Sequence, residues 1–163
     1  MNKFFFFFIL FVTSPIFSSE IKLSSIIILE NNIPKECGVK IDINDESILF
    51  SVKVTIKKNK NNTSTYFSVN SNQNINYSDI DTEEEKLSKI IKSKNLNSEY
   101  YEIESETDQN KTTKFFQELI IGGGKVFIND KKYEISGPID SKVRLEYLFC
   151  TGEMFLPNYK SNK

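Results

Sequence analysis

Regular alternation of apolar and polar residues is the strongest pattern in this chain, and it predicts an antiparallel β-sheet. The clearest example is residues 47–57, where every second residue is apolar: Ile48, Phe50, Val52, Val54 and Ile56. Residues 37–43 alternate in the same way and precede the polar turn residues Asn44-Asp45-Glu46. The two segments therefore predict a β-hairpin with one buried face.

Shorter segments rich in β-branched and aromatic residues extend the predicted sheet. They cover residues 21–29, 64–69 and 125–135, and residues 100–107 are interpreted as a further strand or as an exposed extended segment. The first of them is followed by Asn31-Asn32 and Pro34, which favour a turn. Segment 125–135 contains the polar pair Asn129-Asp130, which predicts a second hairpin with a tight turn.

Two segments have apolar residues at helical spacing. Residues 82–94 begin with Thr82 and Glu85, which fit a capping box, and carry an apolar stripe of Leu87, Ile90 and Ile91. Residues 112–121 carry a second stripe and stop at three consecutive glycines, Gly122-Gly123-Gly124. Both segments are therefore predicted to be helices.

The apolar residues of segment 139–151 fit the spacing of a strand and also that of a helix. Val143, Leu145, Tyr147 and Phe149 alternate as in a strand, whereas Ile139, Val143, Tyr147 and Cys150 line one face of a helix. Pro138 before the segment and Gly152 after it favour the helix, with the strand as the alternative. The predicted fold class is therefore α+β: an antiparallel sheet built from hairpins and packed by two or three helices.

The N-terminus has the pattern of a secretory signal peptide. Lys3 precedes an apolar block, residues 4–12, and small serines follow, so we expect residues 1–18 to be removed after Ser18. An uncleaved anchor is the alternative, although the block is shorter than the roughly 20 residues of a membrane span. The expected organisation is this leader, a single globular domain over residues 19–159 and a frayed tail over 160–163. The expected localisation is extracytoplasmic, either periplasmic or secreted.

Cys37 and Cys150 are the two cysteines of the chain. In an oxidising compartment two such cysteines usually pair, so we predict a disulfide between them. Two buried or reactive free thiols are the alternative. Two cysteines without any histidine give too few soft ligands for zinc, so no metal is expected.

Charge and composition exclude several classes of function. The 163-residue chain has 21 lysines and arginines against 22 aspartates and glutamates, a balance that argues against bulk binding of nucleic acid. The chain contains no histidine, which removes the commonest general base and the usual Ser-His and Cys-His nucleophile pairs.

The remaining motifs have simple structural explanations. Gly122-Gly123-Gly124-Lys125 is followed by Val126 rather than by the serine or threonine of a phosphate loop. The segment Asp79–Glu83 has calcium-loop spacing but lacks the later glycine and glutamate, so a helix-capping cluster explains it better. The acidic face of Glu102, Glu104, Glu106 and Asp108 is interpreted as a solvated strand face.

No residue can be assigned to catalysis, to a cofactor or to a metal, and no cofactor is expected. The sequence favours a non-catalytic protein-binding or envelope-binding module stabilised by one disulfide. Two alternatives stay open: a carboxylate-based extracytoplasmic enzyme, and a membrane-tethered accessory subunit that keeps its leader. The expected partner is another protein or a component of the cell envelope.

Overall fold

The computed structural model describes the backbone of residues 19–58, 63–87, 92–97, 100–107 and 109–155, and side chains within 19–58, 64–87 and 112–154. This part of the chain forms ten strands and two helices. The strands are β1 Glu20–Glu30, β2 Ile33–Asp45, β3 Ile48–Lys58, β4 Thr63–Ser71, β5 Ser78–Asp81, β6 Lys86–Leu87, β7 Lys92–Asn97, β8 Tyr100–Thr107, β9 Gly123–Ile128 and β10 Lys131–Ser136. The helices are α1 Gln109–Gly122 and α2 Ser141–Phe155. The predicted leader and tail lie outside the described residues.

The strands form two antiparallel sheets rather than the one expected. The larger has the order β1-β2-β3-β4-β8-β7, and the smaller has the order β10-β9-β5-β6. The predicted β2–β3 hairpin is present, with Asp45 opposite Ile48 and Glu46 at a φ of 58°. The β9–β10 hairpin is also present, but it joins the smaller sheet because β9 pairs with β5. The fold is therefore α+β, with a core shared by two sheets.

The prediction of a helix over residues 82–94 is wrong for the residues that the structure describes. Residues 82–85 form a turn, Lys86–Leu87 is β6, and β7 begins at Lys92. Glu85 does donate its backbone N–H to Thr82 Oγ1 at 3.3 Å, as in a capping box, but within the turn. Tertiary contacts override the local helix signal: Leu87 is buried opposite Ile80 of β5, and Ile80 pairs in turn with Val126 of β9.

The other two predicted helices are present. In α1 the buried stripe is Phe115, Phe116, Leu119 and Ile120. The helical interpretation of 139–151 is also right, since α2 buries Val143, Tyr147, Cys150 and Met154. Asp140 begins α2 as an N-cap, because its Oδ1 accepts the backbone N–H groups of Lys142 at 2.9 Å and Val143 at 3.2 Å.

The predicted disulfide joins β2 to α2. The Cα atoms of Cys37 and Cys150 lie 5.8 Å apart, and 113 positions separate the two residues in sequence. Both half-cystines are buried, with exposures of 0% and 2%. The bond therefore ties the third turn of α2 to the sheet beside β1.

The glycines at the end of α1 are required because the backbone there closely approaches the backbone at the end of β10. Gly123 has a φ of +80°, and a Cβ atom there would lie 2.1 Å from the Ile135 carbonyl oxygen. A Cβ atom at Gly137 would lie 2.2 Å from the carbonyl carbon of Gly122. These glycines let the end of α1 lie directly against the end of β10.

Substitution of Gly123 with alanine is expected to lower the free energy of unfolding by about 1–3 kcal/mol, because it combines a left-handed φ with a steric clash. Urea denaturation followed by circular dichroism measures this change. Gly152→Ala in α2 is the matched control, since a Cβ atom there meets nothing within 4 Å. That control should leave stability unchanged or raise it by up to about 1 kcal/mol. Equal effects at both positions would contradict the assignment.

Candidate functional site

Exposed apolar side chains are concentrated on three neighbouring elements of the fold. Ten large hydrophobic side chains are exposed among those described, and seven of them belong to β1, the start of β2 and α2. We call these seven residues the β1–α2 surface: Ile27, Ile28, Leu29, Ile33, Leu145, Leu148 and Phe149. Ile27 and Leu29 lie on the α2 side of the sheet, whereas Ile28 and Ile33 lie on its other side. Concentrations of exposed apolar side chains of this kind commonly mark a site of protein or membrane contact.

The apolar residues of α2 occupy two opposite faces of the helix. The inner face carries the buried residues already named. The outer face carries Leu145 and Leu148, each 51% exposed, and Phe149 at 69%. A surface helix ordinarily presents polar residues to water on this side. The outer face of α2 therefore lacks the polar side chains that are usual on a helix facing water.

Two contacts join the strand half of this surface to the helix half. Ile27 lies directly opposite Cys37 in the β1–β2 register, and Cys37 is bonded to Cys150, the neighbour of Phe149. Ser25 of β1 donates its hydroxyl to Glu146 Oε2 of α2 at 2.5 Å. Since Glu146 and Phe149 are three residues apart, both lie on the β1 side of the helix.

Strand β1 forms one edge of the larger sheet, and no strand of the described part of the chain pairs with its outer side. Its segment Ser24–Leu29 contains no charge and no proline. Strand β7 at the opposite edge is only six residues long and carries Lys92 and Lys94, the usual protection of an edge. β1 thus offers free backbone donors and acceptors beside exposed apolar side chains.

A second feature is an open cleft of about 610 Å³ between the end of α1, the β5–β6 turn and the β9–β10 hairpin. Its lining includes four acidic residues and one basic residue: Asp81, Glu83, Glu118, Glu134 and Lys125. This is the location that a carboxylate-based enzyme would require. Its chemistry depends on whether these carboxylates are free to act.

Glu118 is bound to the turn that faces it. Its Oε2 accepts the hydroxyl of Thr82 and the backbone N–H groups of Glu84 and Glu85, both at 3.2 Å. The Thr82 hydroxyl, followed by these backbone groups and Lys114, holds the pKa of Glu118 below its ordinary value. The carboxylate therefore anchors the 82–85 turn to α1.

Asp79 and Asp81 are paired with a lysine within the smaller sheet. The wholly buried Asp79 forms an ion pair with Lys86, whose Nζ also lies 3.7 Å from Asp81 Oδ1. Burial raises the pKa of Asp81, and Lys86 partly opposes that rise. The interpretation of Asp79–Glu83 as a helix-capping cluster is wrong, because residues 79–81 are strand β5.

Three of the four carboxylates that line the acidic cleft contact other groups of the protein. Glu134 forms an ion pair with Lys132 at 2.8 Å, in addition to the partners of Glu118 and Asp81 given above. Within the described residues, no group of three or more histidine, cysteine, aspartate or glutamate side chains is placed to hold a metal ion. The cleft is therefore a weaker candidate than the β1–α2 surface.

Glu118→Gln is expected to lower stability at neutral pH, with a loss that shrinks as the pH falls. The pKa of the folded-state carboxyl is below its ordinary value of 4.5, so the folded state binds fewer protons than the unfolded chain. Its contribution is complete above pH 4.5 and disappears as the pH falls through the folded-state pKa. Urea denaturation of both proteins from neutral to acidic pH measures this. A loss that is independent of pH would contradict it, and Glu153→Gln on the exposed side of α2 is the control.

The two cysteines and the glycine stop are evident in the sequence, whereas the β1–α2 surface was not predicted. The side chains of Glu102, Glu104, Glu106 and Asp108 lie outside those described. A signal for the missed surface was present, because Ile26-Ile27-Ile28-Leu29 is apolar on both strand faces. Leu145, Leu148 and Phe149 likewise fall outside the buried stripe of α2.

Comparison with known proteins gives no relative: no protein-family model, curated protein or solved structure matches this chain. Across the described residues, neither helix is long and apolar enough to span a bilayer.

Proposed function

We propose that this protein is a non-catalytic extracytoplasmic module that binds another polypeptide through the β1–α2 surface. The observation that carries the proposal is the concentration of seven exposed large apolar side chains on β1, the start of β2 and α2, where the disulfide joins β2 to α2. The partnered carboxylates of the acidic cleft make a catalytic role the weaker alternative.

A polypeptide fits this surface better than a lipid does. The edge of β1 offers a row of unpaired backbone N–H and C=O groups, which an extended chain can satisfy by adding a strand. Hydrocarbon would leave these groups without partners, at a cost of several kcal/mol each. The flanking side chains Ile27, Leu29 and Phe149 then provide apolar contacts beside the added strand.

The extracytoplasmic location rests on two features of the chain. The leader pattern of residues 1–18 is that of an exported protein. A buried disulfide between Cys37 and Cys150 suits an oxidising compartment. Intact mass of the protein recovered from its producing cells tests this point. Loss of residues 1–18 is expected, and their retention would favour the membrane-tethered alternative.

Variant-dependent capture tests the binding function. Immobilised protein is exposed to the extracellular fluid of its producing cells, and the double variant Ile27→Lys/Phe149→Asp is expected to lose the polypeptides that the unmodified protein retains. The matched control is Ile121→Lys/Tyr77→Asp, which introduces the same charges at the exposed positions Ile121 and Tyr77, away from the surface. Retention that is equal for all three proteins, or absent from all three, would overturn the proposal.

A further inference from the structure

We infer that the partner of the β1–α2 surface is a second copy of this chain, paired antiparallel through β1 to make one continuous twelve-stranded sheet. The inference rests on the proposed function, since it names the occupant of the same surface. It follows from the self-complementary sequence of β1 and from where α2 lies beside it.

The side chains of β1 define which registers are allowed. Ile21 and Leu23 pack against the core, so residues 21, 23, 25, 27 and 29 face α2 and the even-numbered residues face the other way. A two-fold axis perpendicular to the sheet keeps both copies of α2 on one side. Such an axis pairs odd-numbered residues with odd-numbered residues, and even-numbered residues with even-numbered ones. It must therefore pass midway between one residue of β1 and the same residue of the second copy.

Charge selects one register among these. With the axis at Ile26, Lys22 of each copy faces Glu30 of the other, and the interaction occurs twice by symmetry. With the axis at Ser25, Glu20 faces Glu30 and two carboxylates repel. Within one copy Lys22 pairs with Glu20 and Lys35 with Glu30, each at 3.1 Å, so association would extend these exposed pairs into a network.

The strand is suitable for pairing along its full length. The irregularity of the β1–β2 ladder falls between Ile28 and Leu29 of β1, where residue 35 of β2 is the extra residue. β1 itself therefore continues without a bulge. Nine residues, 22–30, would pair with their equivalents over about 30 Å. In that register Leu23 faces Leu29, and Ser25 faces Ile27.

The helix lies where it can close the same interface. Phe149 lies on the β1 side of α2, next to the disulfide that reaches Ile27's partner Cys37. Because Ile27 adjoins the axis residue Ile26, the two Phe149 rings would come close to the two-fold axis. Their 69% exposure in the single chain would be reduced by association. This explains a large aromatic side chain left in water beside an unprotected edge strand.

Sedimentation equilibrium of the exported protein, from about 1 μM to about 1 mM, tests the inference. A reversible dimer is expected, and Ile26→Lys should abolish it over this range because two like charges would meet at the axis. Ile121→Lys, at a 72% exposed position on α1, is the matched control and should leave the dimer unchanged. A monomer throughout, or a dimer unaffected by Ile26→Lys, would overturn the inference.

Charge exchange tests the register itself. Lys22→Glu and Glu30→Lys should each raise the dimer Kd by about tenfold, because each places two like-charge pairs across the axis. The double variant Lys22→Glu/Glu30→Lys should restore the original Kd. Failure of restoration would overturn this register. A monomeric protein that still captures polypeptides through Ile27 and Phe149 would overturn self-pairing alone, whereas loss of both behaviours would also overturn the proposed function.

Discussion

The double substitution Cys37→Ala/Cys150→Ala is expected to lower the free energy of unfolding by about 4–5 kcal/mol. The disulfide closes a loop across 113 sequence positions, and the chain-entropy model gives about that stabilisation for a loop of this length. Urea denaturation of the oxidised protein and of the variant measures the difference. This is close to the whole stability of many domains, so we expect the variant to be partly unfolded at 37 °C.

Reduced protein with both cysteines intact separates the cross-link from side-chain packing. Reduction keeps both sulfur atoms at buried positions but opens the loop, so it should produce nearly the same loss as the alanine variant. A difference below about 1 kcal/mol between oxidised and reduced protein would contradict a stabilising role for this bond.

Phe116→Ala is expected to lower the free energy of unfolding by about 3–5 kcal/mol. Phe116 is 1% exposed, and its ring stacks on Tyr147 of α2 with 4.4 Å between centroids. It also contacts Phe115 edge-on at 5.6 Å. Truncation would leave a cavity between the two helices, which a packed core fills only in part.

The matched control is Phe149→Ala, which removes the same atoms from a side chain that is 69% exposed. Its effect on the unfolding of the single chain should stay below about 1 kcal/mol. Thermal or urea denaturation at low protein concentration compares the two variants. Similar losses at both positions would show that the inner and outer faces of α2 are wrongly assigned.

Much of the fold could be predicted from the sequence because strands β2 and β3 follow a strict two-residue period. Val39, Ile41 and Val54 point into the core wherever that period holds. The glycine stop was equally clear, because few residues other than glycine adopt the φ of +80° found at Gly123. Such features depend on residues that are close in sequence, so a sequence pattern is enough to predict them.

The prediction of a helix over residues 82–94 is wrong because distant residues decide the structure there. Thr82 and Glu85 do interact, but Glu118 from α1 accepts the backbone N–H of Glu85, and Leu87 pairs across β5. These contacts join residues more than thirty positions apart or depend on a second sheet. Local propensity contains no information about them.

The β1–α2 surface was missed for a related reason. Apolar residues in a strand or helix are ordinarily read as core, and Ile28 or Leu148 looks no different in sequence from a buried residue. Only the packing of α2 on β1 and β2 reveals which apolar face stays exposed to solvent. The disulfide was predicted from the expected oxidising compartment and from the presence of two cysteines, whereas its position beside that surface could be known only from the fold.

Photo-crosslinking from position 149 tests the central claim most directly. Replacing Phe149 with benzoylphenylalanine in the producing cells and irradiating them should give a covalent adduct with a polypeptide, of twice the chain mass if the partner is a second copy. Benzoylphenylalanine at Ile121, which is 72% exposed on α1, should give none. No adduct at position 149, or equal adducts at both positions, would contradict the β1–α2 surface as the site of polypeptide binding.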